Sequence, residues 1–294
     1  MAYRKPVTEK IFDVFNIVFM LVIVAVSLYP FLFVVFASLS DPAIMGSQRG
    51  ILLYPQGFQT DGYRLVFEKQ DVWTGYANTI FYVVAGTFLN VTLTAMLAYT
   101  LSKKGLLLNK IIMMGIVFTM FFSGGMIPSY LLINNLHLVD SRWAIVLSGL
   151  VSTMNVIIMR TSFQSLPESL EEAAKLDGAN EFTILFRIVI PLSMPVIAVM
   201  TLFYGVGRWN SWFDAMIYLK DRNKMPLQII LREILIYSST DDMMTTLGTD
   251  KKGHDMSEII KYATTVVATV PILIIYPFIQ KYFAKGVMIG AIKG

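Results

Sequence analysis

The sequence predicts an all-α, polytopic membrane protein with six transmembrane helices. Of its 294 residues, 55% are hydrophobic and only 15% are charged, a composition too apolar for a soluble domain of this length. Six uncharged runs each approach or exceed the roughly 20 residues that a helix needs to cross a bilayer. One amphipathic stretch, residues 165–195, interrupts these runs.

The six predicted spans form one transmembrane domain over residues 1–294, with its core at about residues 76–283. The first run is predicted to be a membrane span rather than a secretory leader, because large side chains continue through Tyr29, Pro30 and Phe31, where a cleavage site would need small ones. The predicted spans are residues 14–37, 76–101, 111–133, 143–159, 190–206 and 262–279.

The distribution of charge predicts the orientation of these spans. Lys and Arg dominate the segments on the side of both termini, whereas Asp and Glu offset them in the segments on the other side. By the positive-inside rule, both termini and residues 165–190 face the cytoplasm, and the segment 207–261 lies outside. Within that outer segment, the polar residues 237–255 are predicted to form an exposed loop.

Residues 165–190 predict a helix, a turn and a second helix. Ser165 and Glu168 have the spacing of a capping box. Gly178 is expected to end the first helix, at a turn with a positive φ that any side chain would oppose. Apolar residues at three- and four-residue intervals then predict a second short helix leading to Pro191. They are Phe182, Leu185, Phe186 and Val189.

This stretch resembles the EAA loop of binding-protein-dependent ABC import permeases. The E-A-A triplet at 172–174, the glycine at 178 and the I-x-x-P-L ending at 188–192 stand at family spacing, and a chance match to so many fixed positions is improbable. In the family this loop is a coupling helix that sits in a groove of a cytoplasmic ATPase; the alternative is an amphipathic helix lying on lipid. The resemblance assigns ATPase coupling to Glu172, Ala173, Ala174, Asp177, Gly178, Ala179 and Pro191.

The end of the chain resembles that of the smaller permease subunit in the maltose-type, carbohydrate-uptake family. It reads G-A-I-K-G, and a W-N pair at 209–210 stands where such permeases carry one. In the relatives this tail enters the ATPase dimer interface, whereas a solvated end is the usual fate of a terminus. The resemblance assigns ATPase contact to Gly290, Ala291, Lys293 and Gly294.

Polar and aromatic residues of the second and fifth runs are candidates for a substrate path. Asn78 and Asn90 suit either interhelical hydrogen bonds or a path lined for sugars, and helix packing is favoured. Trp209 and Asn210 suit the face and the hydroxyls of a sugar. Aromatic residues also form interfacial belts, which is the favoured role for Trp212. The sequence leaves both roles open at these positions.

The chain has no energy source of its own. No predicted span carries a charged residue or histidine in its core, which disfavours an ion-coupled carrier, and no phosphate-binding G-x-x-x-x-G-K-[ST] motif is present. His137 and His254 have no second ligand at metal spacing, and no paired catalytic groups point to a membrane enzyme. An ion-coupled or passive transporter that works without ATPases stays open as the alternative.

The resemblance implies a set of partners in a bacterial inner membrane. It implies a heterodimer with a second, homologous permease, two ATPase subunits that bind ATP and Mg, and an extracytoplasmic solute-binding protein. No cofactor is expected in this chain. The implied cargo is an oligosaccharide, with alginate fragments or another acidic sugar as candidates. The dispersed basic residues give no support to nucleic-acid binding.

Overall fold

The computed structural model describes residues 7–45, 50–105, 107–245 and 251–291. These residues form fifteen α-helices, a π-helical turn at Leu185–Val189, a 3-10 turn at Arg222–Lys224 and no strand. The predicted all-α class is therefore confirmed. The chain divides into two compact units, one of Met1–Lys69 with Leu231–Thr269 and one of Gln70–Ile230 with Val270–Gly294.

Long apolar helices alternate with short ones along the chain. In order they are α1 Val7–Ser38, α2 Pro42–Met45, α3 Asp61–Phe67, α4 Gln70–Ser102, α5 Asn109–Phe121, α6 Met126–Asn135, α7 Arg142–Leu147, α8 Thr153–Gln164, α9 Glu168–Leu176, α10 Glu181–Ile184, α11 Ile190–Leu192, α12 Met194–Trp209, α13 Phe213–Tyr218, α14 Leu227–Thr245 and α15 Lys251–Ala291.

Three helical stretches are long and apolar enough to cross a membrane: α1, α4 and the Ser257–Phe278 part of α15. The most apolar stretch of α1 buries none of its residues. A helix that is apolar on every side suits lipid or a neighbouring helix rather than water. Each of two further candidates is bent, by 113° between α5 and α6 and by 89° between α11 and α12. By length and composition, the described residues offer three to five spans.

The predicted span at 143–159 is not one helix. α7 ends at Leu147 and α8 begins at Thr153, with extended backbone at Ser148 and a φ of +63° at Gly149. A positive φ is incompatible with a continuous right-handed helix. The uncharged run therefore folds as two short helices joined by residues 148–152, which we call the α7–α8 break.

The outer segment predicted at 207–261 contains more helix than expected. The stretch 237–255, predicted as an exposed loop, is helical at 237–245 and 251–255. α14 starts after Pro226, buries Leu227, Ile230 and Ile234 at helical spacing, and contains no Gly or Pro to end it. The buried apolar face starts the helix, which then continues into the polar stretch.

One side of α4 carries small and polar residues at intervals of four, where α4 packs against α8 and α12. This spacing produces a stripe that winds slowly around the helix. Small residues let helices approach closely, and polar ones bond across the contact. The buried residues of the stripe are Asn78, Tyr82, Gly86, Asn90, Thr94 and Ala98.

Candidate functional site

The E-A-A stretch forms a helix–turn–helix loop, residues 168–192, built from α9, a tight turn, α10, the π-helical turn and α11. Gly178 lies in the turn with a φ of +80°, as predicted. A Cβ at Gly178 would meet no atom within 4 Å, so a substitution there is opposed by backbone conformation alone. Asn180 caps α10 by accepting a hydrogen bond from the Thr183 amide at 2.8 Å. The turn geometry is thus set by one glycine and one cap.

The start of the loop differs from the prediction. α9 begins at Glu168 with Pro167 as the residue before it. Ser165 ends α8 instead, and its hydroxyl donates to the Ser162 carbonyl at 2.7 Å. The predicted capping box is therefore wrong, because the preceding helix already uses the serine.

The second arm of the loop contains a π-helical turn before Pro191. The Ile190 amide donates to the Leu185 carbonyl, five residues back. Proline has no amide hydrogen and crowds the carbonyl four residues before it, so the hydrogen-bond pattern widens here. Ser193, where the chain bends, is buried.

The loop buries one side and exposes the other. Ala174, Ile184 and Val189 belong to a core cluster with Tyr99 of α4 and Met159 of α8. Ala179 and Ile188 are packed against the same cluster. The exposed side carries Glu172, Ala173, Leu176, Asp177, Phe182 and Pro191.

Leu176 and Phe182 make the exposed side of the loop unlike an ordinary solvated surface. Leu176 is 90% exposed and Phe182 is 62% exposed, and Glu172 and Asp177 on the same side are also exposed. Exposed apolar groups rimmed by polar ones mark a surface that interacts with another protein or with a membrane.

A group of charged side chains ties the loop to the end of α4. This Lys103 cluster consists of Tyr99, Lys103, Glu171, Lys175 and Glu181. The Lys103 ammonium pairs with Glu171, lies 3.3 Å from Glu181 Oε2, and donates to Tyr99 Oη at 2.6 Å. Tyr99 Oη donates to Glu181 Oε2 at 2.7 Å, and Lys175 Nζ lies 2.7 Å from Glu181 Oε1. One ammonium thus joins α4 to both arms of the loop.

A second cluster, the Arg208 cluster, forms where α12 meets the α7–α8 break. The buried Arg208 guanidinium donates to the carbonyls of Ile145, Val146 and Ser148, the last two at 3.0 and 2.8 Å, and to Asn90 Oδ1 at 3.0 Å. The last carbonyls of a helix have no intrahelical partner. Arg208 supplies that partner for α7, and so stabilises the end of α7 at the α7–α8 break.

Other side chains also form hydrogen bonds with the residues of the α7–α8 break. Tyr204 Oη accepts from the Ser152 amide at 3.0 Å and shares a hydrogen bond with Thr94 Oγ1 at 2.7 Å. The Ser148 hydroxyl donates to Asp214 Oδ2 at 2.8 Å. The break is thus a defined structure bonded to α4, α12 and α13.

Sequence reasoning missed Arg208, because the fifth uncharged run ends two residues earlier. The signal that points to it is an asparagine in the middle of an apolar helix, Asn90, which needs a polar partner at the same depth. Nothing in the spacing identifies that partner as Arg208 rather than another polar residue.

The predicted substrate-path residues lie in different surroundings. Asn78 is buried; its amide nitrogen donates to the carbonyls of Asn223 and Met225 at 2.7 and 3.1 Å, and its oxygen accepts from Arg142. Asn90 is buried as well and donates to the Gly149 carbonyl at 3.2 Å. Asn210 is exposed at the end of α12 and Trp209 borders a cavity.

That cavity has a volume of about 580 Å³ and lies between α4, α12 and the later part of α15. Apart from three threonines, Thr87, Thr92 and Thr201, its lining is apolar. Thr87 Oγ1 is buried and has no hydrogen-bond partner among the described residues. With so few polar groups, the cavity suits hydrocarbon better than a sugar.

The remaining predicted positions lie at the end of the chain. Gly290 and Ala291 are the last residues of α15, whereas Lys293 and Gly294 lie outside the described residues. Within the described ranges, no three His, Asp or Glu side chains come together in a group that could hold a metal ion.

The sequence matches one protein family over nearly its whole length. Residues 1–289 match the family described as binding-protein-dependent transport system inner membrane component. The polygalacturonan/rhamnogalacturonan transport system permease protein YtcP of Bacillus subtilis (strain 168) is 41% identical over 287 residues, 97% of this chain and 99% of that protein. Protein LplC of the same organism is also 41% identical, over 286 residues, 97% of this chain and 96% of that protein.

A solved structure has the same fold. It is the crystal structure of a bacterial ABC transporter involved in the import of the acidic polysaccharide alginate, with a TM-score of 0.83 and 34% identity over 96% of this chain and 100% of that one. The resemblance inferred from the helix–turn–helix loop is therefore confirmed. The chain belongs to the family of inner-membrane components of binding-protein-dependent transport systems, and it is a transport permease rather than an enzyme.

Proposed function

We propose that this chain is one of two homologous permease subunits of an ABC importer that takes up oligosaccharides. A solute-binding protein delivers the sugar outside, and two partner ATPase subunits bind ATP and Mg²⁺ and dock on the helix–turn–helix loop inside. The observation that carries this proposal is the loop itself, whose exposed side presents Glu172, Leu176 and Phe182 while its other side packs on α4 and α8.

The proposed topology has six spans with both termini in the cytoplasm. The three long stretches, the two bent pairs and the α7–α8 pair each count as one span. The polar backbone groups of the α7–α8 break are bonded by Arg208, Tyr204 and Asn90. Irregular backbone is tolerated at membrane depth where protein groups satisfy it in this way. The charge asymmetry of the connecting segments supports the orientation.

The proposed cargo is an acidic oligosaccharide. Support comes from the permease named for polygalacturonan and rhamnogalacturonan and from the transporter that imports the acidic polysaccharide alginate, since all three polysaccharides contain uronic acids. Asn210 and Trp209 stay the candidates for sugar contact, because Asn210 is exposed at the end of α12 and Trp209 is its neighbour in the chain. Asn78 and Asn90 are proposed to hold helices together, because their amide nitrogens are bonded within the chain.

The tail is proposed to contact the ATPases, and the outer segment 207–261 to contact the binding protein. Removal of Gly290 to Gly294 should leave membrane insertion intact and reduce both ATPase association and transport. The support for these placements is the family resemblance of the sequence and the length of α15, which extends to Ala291.

The test is reconstitution of the complete transporter in lipid vesicles. Uptake and ATP hydrolysis are measured with galacturonate oligomers, alginate oligomers and a neutral maltooligosaccharide. We expect ATP-dependent uptake of one of the acidic sugars, and hydrolysis stimulated by the loaded binding protein. Uptake by this chain alone, without ATPase subunits, would establish the ion-coupled or passive alternative instead.

A further inference from the structure

We propose that Lys103 is a positioning residue that transmits movement of the helix–turn–helix loop to α4, and through α4 to the transport pathway. This inference rests on the proposed function, in which the loop receives the force of ATP binding and hydrolysis. Lys103 follows α4 directly, since that helix ends at Ser102. It contacts neither nucleotide nor sugar; it links the helix–turn–helix loop to α4.

The first reason is the number of elements that meet at the Lys103 ammonium. Glu171 comes from α9, Glu181 from α10 and Tyr99 from the last turns of α4. The two acids lie on opposite sides of the turn at Gly178. A single cation that binds both arms ties them to each other and to α4, so a movement of either arm is passed to α4.

The second reason is that the end of α4 is itself held firmly. The Leu101 carbonyl accepts from Arg160 Nε of α8 at 2.8 Å and from Asn109 Nδ2 of α5 at 3.0 Å. Asn109 also bonds the carbonyl of Lys103 at 3.3 Å. Force applied at Lys103 therefore reaches α4, α5 and α8 together and is not lost in a frayed helix end.

The third reason is shielding from water. The side chains of Lys103 and Glu171 are only 23% and 26% exposed. A neighbouring pair, Lys104 with Glu168 at 2.6 Å, joins the same two elements but is 84% and 60% exposed. Exposed pairs contribute little because water and salt screen them, whereas removal of one partner from a shielded pair leaves the other charge poorly solvated. The two pairs thus form a matched test within one interface.

The experiment uses the complete transporter in vesicles and measures sugar molecules imported per ATP hydrolysed. For Lys103→Met we expect this ratio to fall about tenfold, within the usual range of coupling between sites, while the ATPases stay bound. Lys103→Arg keeps the charge and the donors and should restore most of the ratio. Lys103→Met with Glu171→Gln should be less damaging than the sum of the two single changes.

Lys104→Met and Glu168→Gln are the matched controls, and each should change the ratio less than twofold. An unchanged ratio in Lys103→Met would overturn the proposal. So would an equal loss in the Lys103 and Lys104 variants, which would mean that net charge matters and the geometry does not. Loss of ATPase association in Lys103→Met would show a docking residue rather than a transmitting one.

A folding defect is separated from the proposed role by the Lys103→Arg variant and by thermal melting of each complex. Failure of the proposed function is also distinguishable. It would appear as wild-type complex without ATP-dependent uptake of any sugar, whereas failure of the Lys103 proposal would appear as normal coupling in a variant of an active transporter.

Discussion

The two polar clusters differ in what their cations bind. Arg208 is 8% exposed and bonds three backbone carbonyls and one amide oxygen, all at fixed positions on α4, α7 and the α7–α8 break. Lys103 is less buried and binds the flexible ends of two glutamates and a tyrosine on three different elements.

The difference indicates that the Arg208 cluster is a rigid support and that the Lys103 cluster is a link that can move. A guanidinium is a planar fork whose donors match fixed acceptors, whereas an ammonium is a point charge whose partners can exchange while contact is kept. Backbone carbonyls cannot move without moving the helix that carries them. We infer that the Arg208 cluster maintains the shape of the permease and that the Lys103 cluster transmits changes of shape.

The largest effect on stability is expected at Arg208. Arg208→Met removes the donors for the carbonyls of Ile145, Val146 and Ser148 and should lower the free energy of unfolding by on the order of 3 kcal/mol, because buried acceptors are left unsatisfied. Lys103→Met should lower it by less than Arg208→Met does, because Lys103 and its partners are less completely buried than Arg208. Denaturant unfolding in detergent measures both. Equal losses in the two variants would contradict the proposed difference between the Arg208 and Lys103 clusters.

A smaller loss of stability is expected at Gly86, which lies against the Arg208 guanidinium. A Cβ there would be 2.9 Å from Arg208 Nε, so Gly86→Ala should displace the side chain and cost about 1 to 2 kcal/mol by overpacking. Gly205 on α12 is the matched control, because a Cβ there would meet only Thr87 Oγ1, at 3.8 Å. Gly205→Ala should be neutral or slightly stabilising in a melting experiment. Similar effects at the two glycines would show that the guanidinium is not tightly held.

The smallest effect is expected at Asp140, which bonds backbone groups as Arg208 does but is only partly buried. Its carboxylate accepts from the amides of Lys220 and Asp221 at 3.0 and 2.9 Å, and Lys224 Nζ lies 3.2 Å away. The two amide donors, with Lys224, lower the pKa of Asp140 from 3.8 to about 2.

Because that pKa is lowered in the folded protein, the stabilisation by Asp140 is complete above about pH 4 and is lost as the pH falls towards 2. We expect the melting temperature of the wild type to drop over this interval by more than that of Asp140→Asn. Glu68→Gln, which removes an exposed pair with Arg64 within one helix, serves as the control and should follow the wild type. Parallel curves for Asp140→Asn and the wild type would contradict the assignment.

Local sequence signals were enough for the helix–turn–helix loop and for the helical class. Gly178, with its positive φ, and Pro191, before which the hydrogen bonds widen, act through their own backbone, so spacing alone identifies them. The break within 143–159 could not be predicted from a continuous apolar run. It depends on Arg208 and Tyr204, more than 40 residues away in sequence, which supply the partners that its backbone lacks.

The surroundings of the candidate substrate-path residues could not be predicted from the sequence either. An asparagine in an apolar run indicates a polar contact, but Asn78 and Asn90 are bonded to backbone carbonyls of distant loops, and only the folded chain brings those together. The capping-box prediction was wrong for a related reason. Ser165 lies between α8 and α9, and its hydroxyl bonds a carbonyl of α8 rather than an amide of α9.

The central claim is that the helix–turn–helix loop passes the work of the ATPases to the permease. Gly178→Asp forces a side chain onto a φ of +80°, at a cost of roughly 1 kcal/mol or more, and should misplace both arms together. Glu172→Gln changes one exposed carboxylate and leaves the shape of the loop intact, so it should weaken coupling only partly.

The decisive measurement is sugar-stimulated ATP hydrolysis in vesicles that contain all subunits, with membrane insertion of each variant verified. We expect stimulation to be abolished in Gly178→Asp and only reduced in Glu172→Gln. Normal stimulation in Gly178→Asp would contradict the account, because the loop would then not transmit movement between the ATPases and the permease.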